Sequence, residues 1–140
     1  MKPPPRNTIF IVDDDPDDRQ IILDAFLESN FEIDYVFVED AEQLMHTLQE
    51  SDPASLPSLI LLDLNLPGML GMQALKEIKG SKTFSHIPTI ILTTSTLPAD
   101  LTRSYELGAN CFLQKPQSFT DLIEITSCIL RLWFRDAVKR

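Results

Sequence analysis

Five short runs in this chain are almost wholly apolar, and each is followed by a stretch whose apolar residues recur at helical spacing. The runs are "TIFIV" (Thr8–Val12), "DYVFV" (Asp34–Val38), "SLILLDL" from Ser58, "TIIL" (Thr89–Leu92) and "CFLQ" (Cys111–Gln114). A run such as "SLILLDL" has no polar alternation, so a strand made from it must be covered on both faces. Helices are predicted in "DDRQIILDAFLES", in "AEQLMHTLQE", from about Met72 to Lys79, from about Ala99 to Leu107, and from about Phe119 onward. The fourth of these is closed by Gly108, and the last reads as a long C-terminal helix. Strictly alternating strands and helices predict an α/β fold, a doubly wound parallel sheet with helices on both faces.

A length of 140 residues suits one domain, with 44% hydrophobic residues to build its core. We read 1–7 as a disordered lead-in and 8–140 as the domain, extended by its C-terminal helix. No apolar run approaches the roughly 20 residues of a membrane span. "MKPPPR" lacks the apolar stretch and cleavage site of a secretory signal, so the expected location is cytoplasmic. The net charge of −9 disfavours nonspecific nucleic-acid binding, which rests on clustered Lys and Arg. Cys111 and Cys128 form no metal-ligand spacing and sit in apolar runs, which predicts buried free thiols. His46 and His86 read as surface histidines.

In doubly wound sheets function gathers beyond the carboxyl ends of the strands. Asp13 and Asp14 follow the first run, Asp63 the third, Thr93 the fourth and Lys115 the fifth. Three carboxylates, a hydroxyl and an ammonium therefore face one crevice. Asp15, Pro16, Asp17 and Asp18 read instead as a helix start, with Asp15 as N-cap, Pro16 at the first helical position, and two acids near the positive end of the helix. Asp13, Asp14 and Asp63 would repel one another unless a cation joins them. Mg²⁺, or Mn²⁺ in its place, fits such hard oxygen donors, with the Asn65 backbone carbonyl as a further ligand. The competing reading is an acidic rim without metal. With a metal present, Asp63 becomes a nucleophile able to form an aspartyl phosphate, its phosphoryl oxygens met by the cation, Lys115 and Thr93. Lys115 precedes Pro116, which marks a constrained turn where a cis peptide bond is possible.

With these residues in place, the chain resembles a response-regulator receiver domain, the phosphoacceptor of a two-component system. "VDDD", "LLDLNLPGMLG", "ILTTS" and "FLQKP" fall in order and at the family's spacing. The resemblance implies a flavodoxin-like sheet of strand order 2-1-3-4-5. It implies Mg²⁺ binding by Asp13 and Asp14, phosphorylation of Asp63, and a metal contact from the Asn65 carbonyl. Thr93 matches the switch hydroxyl, Lys115 the phosphate-pairing lysine and Phe112 the aromatic switch. The donor in this family is a phosphohistidine on a histidine kinase, and the receiver itself catalyses its own phosphorylation and dephosphorylation without being a conventional enzyme. Leu70 stands where an aspartate usually precedes the glycine. Thr94 is bulkier than the usual small residue, and we expect it to shield the phosphoryl group from water.

The sequence shows no helix-turn-helix and no basic stripe, so output through protein contacts is expected. In the last helix Phe119, Leu122, Ile123, Thr126, Leu130 and Trp133 make one stripe. Ile125, Ile129 and Leu132 fall off it, and with Phe134, which extends the apolar surface at the end, they form a candidate homodimer surface. "LTTS" and "LWF" also resemble single-domain regulators paired with bacterial phytochrome kinases. Two rival classes remain: a binding or dimerisation module that is never phosphorylated, and an aspartyl-phosphate phosphatase or mutase, for which "DLNLP" lacks the second aspartate.

Overall fold

The computed structural model describes residues 7–66 and 70–139. The proposed lead-in, apart from Asn7, and Pro67, Gly68 and Met69 of the second motif, "LLDLNLPGMLG", lie outside the described residues. Strands β1 (Thr8–Val12), β2 (Asp34–Val38), β3 (Leu59–Leu62), β4 (Thr89–Thr93) and β5 (Cys111–Gln114) alternate with helices α1 (Pro16–Leu27), α2 (Ala41–Glu50), α3 (Gly71–Gly80), α4 (Pro98–Glu106) and α5 (Phe119–Trp133). The sheet has the order β2-β1-β3-β4-β5, and every pairing is parallel. The predicted flavodoxin-like topology is therefore the observed one. No helix among the described residues is long and apolar enough to cross a membrane.

The apolar runs split by the two-residue period of a strand. Phe10, Val12, Ile60, Leu62 and Ile91 face α2 and α3, where Leu44, Leu48, Leu75 and Ile78 close one half of the core. Ile9, Ile11, Leu59, Leu61, Ile90 and Leu92 face α1 and α5, where Ile22, Phe26, Leu122, Ile129 and Leu130 close the other. Burying both faces of β1, β3 and β4 is the largest favourable contribution to this fold, at about 1.5–3 kcal/mol for each fully buried large side chain.

Local signals set the helix ends. Asp15 accepts the Asp17 N–H as N-cap of α1 with Pro16 following it, Asp40 caps α2, and Ser118 caps α5. Gly108 carries the positive φ of 104° that ends α4. Leu70 holds the N-cap position of α3 and has no side-chain hydrogen bond to offer.

Four expectations need correction. Ile129 and Phe134 are not surface residues: they are 2% and 4% exposed. The inward stripe of α5 is Leu122, Thr126, Ile129 and Leu130, spaced i, i+4, i+7, i+8, whereas Phe119 in the first turn stays exposed. The helix does not run on to the terminus either. It ends at Trp133, and a 3-10 turn over Arg135–Ala137 turns the chain back so that Phe134 and Ala137 enter the core. Val138 then bridges Phe31, with the Glu32 N–H donating to the Ala137 carbonyl at 2.6 Å. Cys128 is exposed on the outer side of α5, and Cys111 is only partly buried; both are free thiols. No cis peptide bond occurs among the described residues, so Lys115–Pro116 is trans. His46 and His86 are exposed, as expected.

Candidate functional site

Register places the reactive residues. Val12 of β1 pairs with Leu62 of β3, so the next residues, Asp13 and Asp63, leave the sheet side by side. Ladder bonding continues past the strand ends: the Asp13 N–H donates to the Val38 carbonyl and the Asp63 N–H to the Val12 carbonyl. On the other flank Thr93 pairs with Gln114, and the Lys115 N–H donates to the Thr93 carbonyl at 2.7 Å. All four backbones are thus fixed by the sheet, which is how a rigid scaffold holds a site to small tolerances.

The side chains converge as expected. One carboxylate oxygen from each of Asp13, Asp14 and Asp63 can be chosen so that all lie within 4.8 Å of one another. Asp13 and Asp63 are 2% and 6% exposed, while Asp14 is open to solvent. The Lys115 ammonium donates to Asp13 Oδ2 at 2.6 Å and Asp63 Oδ2 at 3.1 Å. Burial pushes the Asp13 carboxyl above its ordinary value, against the pull of hydrogen bonds from Lys115 and the Asp15 N–H. Burial works the other way on Lys115, but the Asp13 hydrogen bond and the charges of Asp63 and Asp13 outweigh it, so its pKa lies above the usual lysine value. The crevice therefore holds an anionic cluster and a cation that stays charged.

This donor set fits a small divalent ion. Its atoms are hard oxygens, two of the carboxylates are backed by a dry core, and the third opens to water, which matches the coordination Mg²⁺ and Mn²⁺ accept. Asn65 also sits at the mouth. Its N–H donates to Asp63 Oδ1 at 3.1 Å, and its side-chain amide reaches the Thr93 and Thr94 hydroxyls at 3.4 and 3.3 Å. Asn65 thus links Thr93, at the end of β4, and Thr94, just past it, to Asp63. Phe112 stands apart from the carboxylates. It is half-buried against the α2 and α3 side of the core, and with Leu97, Leu101 and Gln114 it lines a groove between α4 and β5. Its N–H donates to the Tyr105 hydroxyl at 3.0 Å.

Three participants escaped the sequence reading. Asp18, assigned only to the helix start, also accepts from the Lys115 ammonium, at 3.0 Å. The signal was present in its position in the first turn of α1, where side chains lean back toward the helix N-terminus and so toward the strand ends. Arg19 donates to the Asp13 carbonyl at 2.8 Å with its guanidinium 5.7 Å from the Phe37 ring centroid, pinning the β1–α1 turn. Gly71 is the third: a Cβ there would come within 2.2 Å of the Asp63 carbonyl oxygen, so only glycine lets α3 start this close to Asp63.

Residues 9–127 match the family model of the response regulator receiver domain. Among curated proteins the chain is 34% identical to response regulator Rcp1 of Synechocystis sp., over 92% of this chain and 90% of that protein. It is 35% identical to the probable methanogenesis regulatory protein FilR2 of Methanothrix harundinacea, over 89% and 82%. Among solved structures it matches the phosphorylated cyanobacterial phytochrome response regulator RcpA, with a TM-score of 0.85 and 34% identity over 95% of this chain and 97% of that one. The Mn²⁺-bound form of Rcp1 matches with a TM-score of 0.84 and 31% identity over 96% and 99%. A crevice of three carboxylates and a lysine at the ends of β1, β3 and β5, on a sheet of this order, agrees with the family match: the chain belongs to the response-regulator receiver domains.

Proposed function

We propose that the chain is a phosphoryl acceptor of two-component signalling, modified on Asp63 by a phosphohistidine of a partner kinase. The observation that carries this reading is the approach of one ammonium, Lys115, to both Asp13 and Asp63 in an otherwise anionic crevice. In the transfer an Asp63 carboxylate oxygen bonds to phosphorus as the phosphorus–nitrogen bond to the donor imidazole breaks. The imidazole keeps the electron pair and takes a proton from water. Phosphoryl transfer asks the protein chiefly for alignment and for neutralisation of oxygen charge. A divalent ion held by Asp13, Asp14, Asp63 and the Asn65 carbonyl would neutralise part of that charge. Lys115 supplies a second positive group, and the Thr93 hydroxyl a hydrogen bond. Asp63 lies deep enough that water reaches it only through the mouth, where Thr94 stands exposed. Thr94→Ala is expected to shorten the lifetime of the phosphoryl group severalfold, and an unchanged decay of the phosphoprotein would remove that role.

Similarity to a phytochrome response regulator and to a response regulator in red light signalling makes a light-sensing kinase the favoured partner, in the cytoplasm. Output is proposed to run through protein contacts, with homodimerisation as the first case to test. What supports it is the exposed apolar surface of Leu97 just before α4, Leu101 and Tyr105 on α4, and Leu132, 65% exposed, on α5. Ile125 from the original surface is partly buried and can contribute only an edge. Sedimentation with and without phosphorylation tests this: a monomer under both conditions at high concentration ends the dimer proposal. A chain that binds Mg²⁺ yet accepts no phosphoryl group would instead be the unphosphorylated binding module.

A further inference from the structure

Lys115 is fully subscribed. An ammonium has three protons to donate, and here they meet Asp13 Oδ2 at 2.6 Å, Asp18 Oδ2 at 3.0 Å and Asp63 Oδ2 at 3.1 Å. Two of these acceptors, Asp13 and Asp63, belong to the three carboxylates that converge as a cation site, whereas Asp18 does not. A divalent ion entering that site competes with the ammonium for Asp13 and Asp63 and repels it at close range. Asp18 is the one acceptor of the three that the ion leaves free.

We propose that Asp18 is a positioning residue: it keeps the Lys115 ammonium beside Asp63 while Asp13 is surrendered to the metal. The helix start has no evident need of its charge. Asp15 caps α1, Pro16 follows, and Asp17 already complements the positive end of the helix. Arg19, the nearest guanidinium in sequence, donates to the Asp13 carbonyl. The Asp18 side chain is 41% exposed at the crevice edge, against 13% for Lys115, so it can follow the ammonium without disturbing the core. Without Asp18, Lys115 has only the metal's own ligands to hold, and the two cations oppose each other.

This inference rests on the crevice being a divalent-cation site, and the test separates the two. Mn²⁺ binding to the full chain is titrated by electron paramagnetic resonance for the wild type, Asp18→Ala, Lys115→Ala and the double variant. Asp18→Ala is expected to weaken Mn²⁺ roughly three- to tenfold. In the Lys115→Ala background the same change is expected to alter affinity by less than about twofold. Asp18→Asn keeps an acceptor oxygen and should recover part of the loss. An equal loss in both backgrounds would mean that Asp18 acts only as a negative charge near the ion, and would overturn the proposal. So would an affinity in Asp18→Ala that is unchanged or raised. Failure of the wild type to take up Mn²⁺ overturns the cation site itself, and this role with it. Because Asp18 is half open at a helix end, its variants are expected to melt close to the wild type by circular dichroism.

Discussion

Helices α4 and α5 flank β5 in sequence, yet the molecule treats them differently. Of α5, Leu122, Thr126, Ile129 and Leu130 are buried, and the turn after it adds Phe134 and Ala137. Of α4, Ser104 alone is fully buried, its hydroxyl donating back to the Asp100 carbonyl, while Leu101, Tyr105 and the N-cap residue Leu97 face solvent. The first is a wall of the core. The second is held by few apolar contacts next to Phe112 and two residues of loop from Ser95, whose hydroxyl bonds Asp100. Elements with little buried apolar surface are those that can shift at low cost. On the proposed function, chemistry at Asp63 would be read out on the α4 face, with α5 left in place.

That contrast can be broken by experiment. Its largest expected effect is at Ile129: Ile129→Ala should cost about 3 kcal/mol in urea unfolding, because it leaves a cavity between α5 and the sheet. Gly71→Ala comes next, at about 2 kcal/mol, since its Cβ would meet the Asp63 carbonyl and the Leu64 backbone and force α3 away. The same variant should lower phosphorylation of Asp63 when measured with a small phosphoryl donor. Tyr105→Phe removes the acceptor of the Phe112 N–H and should cost about 1 kcal/mol, read by thermal melting. Smallest is Leu101→Ala, expected within about 0.5 kcal/mol of wild type while reducing any self-association seen by sedimentation. If Leu101→Ala proved as damaging as Ile129→Ala, α4 would be a core helix and the comparison would fail.

Much of this was legible in the sequence for a plain physical reason. Strands buried on both faces announce themselves as unbroken apolar runs, and residues just past them must gather at one end of a parallel sheet. Asp13, Asp14, Asp63, Thr93 and Lys115 followed from that alone. Asp18 did not, because its partner Lys115 lies 97 residues away and a helix cap already accounted for an acid there. Ile129 and Phe134 were misplaced for another reason. Counting the α5 stripe from Phe119 sets the wrong phase, since Phe119 itself stays exposed. Phe134 is buried by a chain reversal whose partners, Phe31 and Asn30, sit at the other end of α1. Helical periodicity carries no information about where a helix stops and the chain turns back.

On the proposed function, Asp63 is a phosphoryl acceptor served by Asp13, Asp14 and Lys115. Intact mass spectrometry after incubation with Mg²⁺ and acetyl phosphate, beside an Asp63→Asn control, tests it most directly. One phosphoryl adduct is expected on the wild type and none on the control. An unmodified wild type that nonetheless binds Mg²⁺, or equal adducts on both proteins, would contradict it.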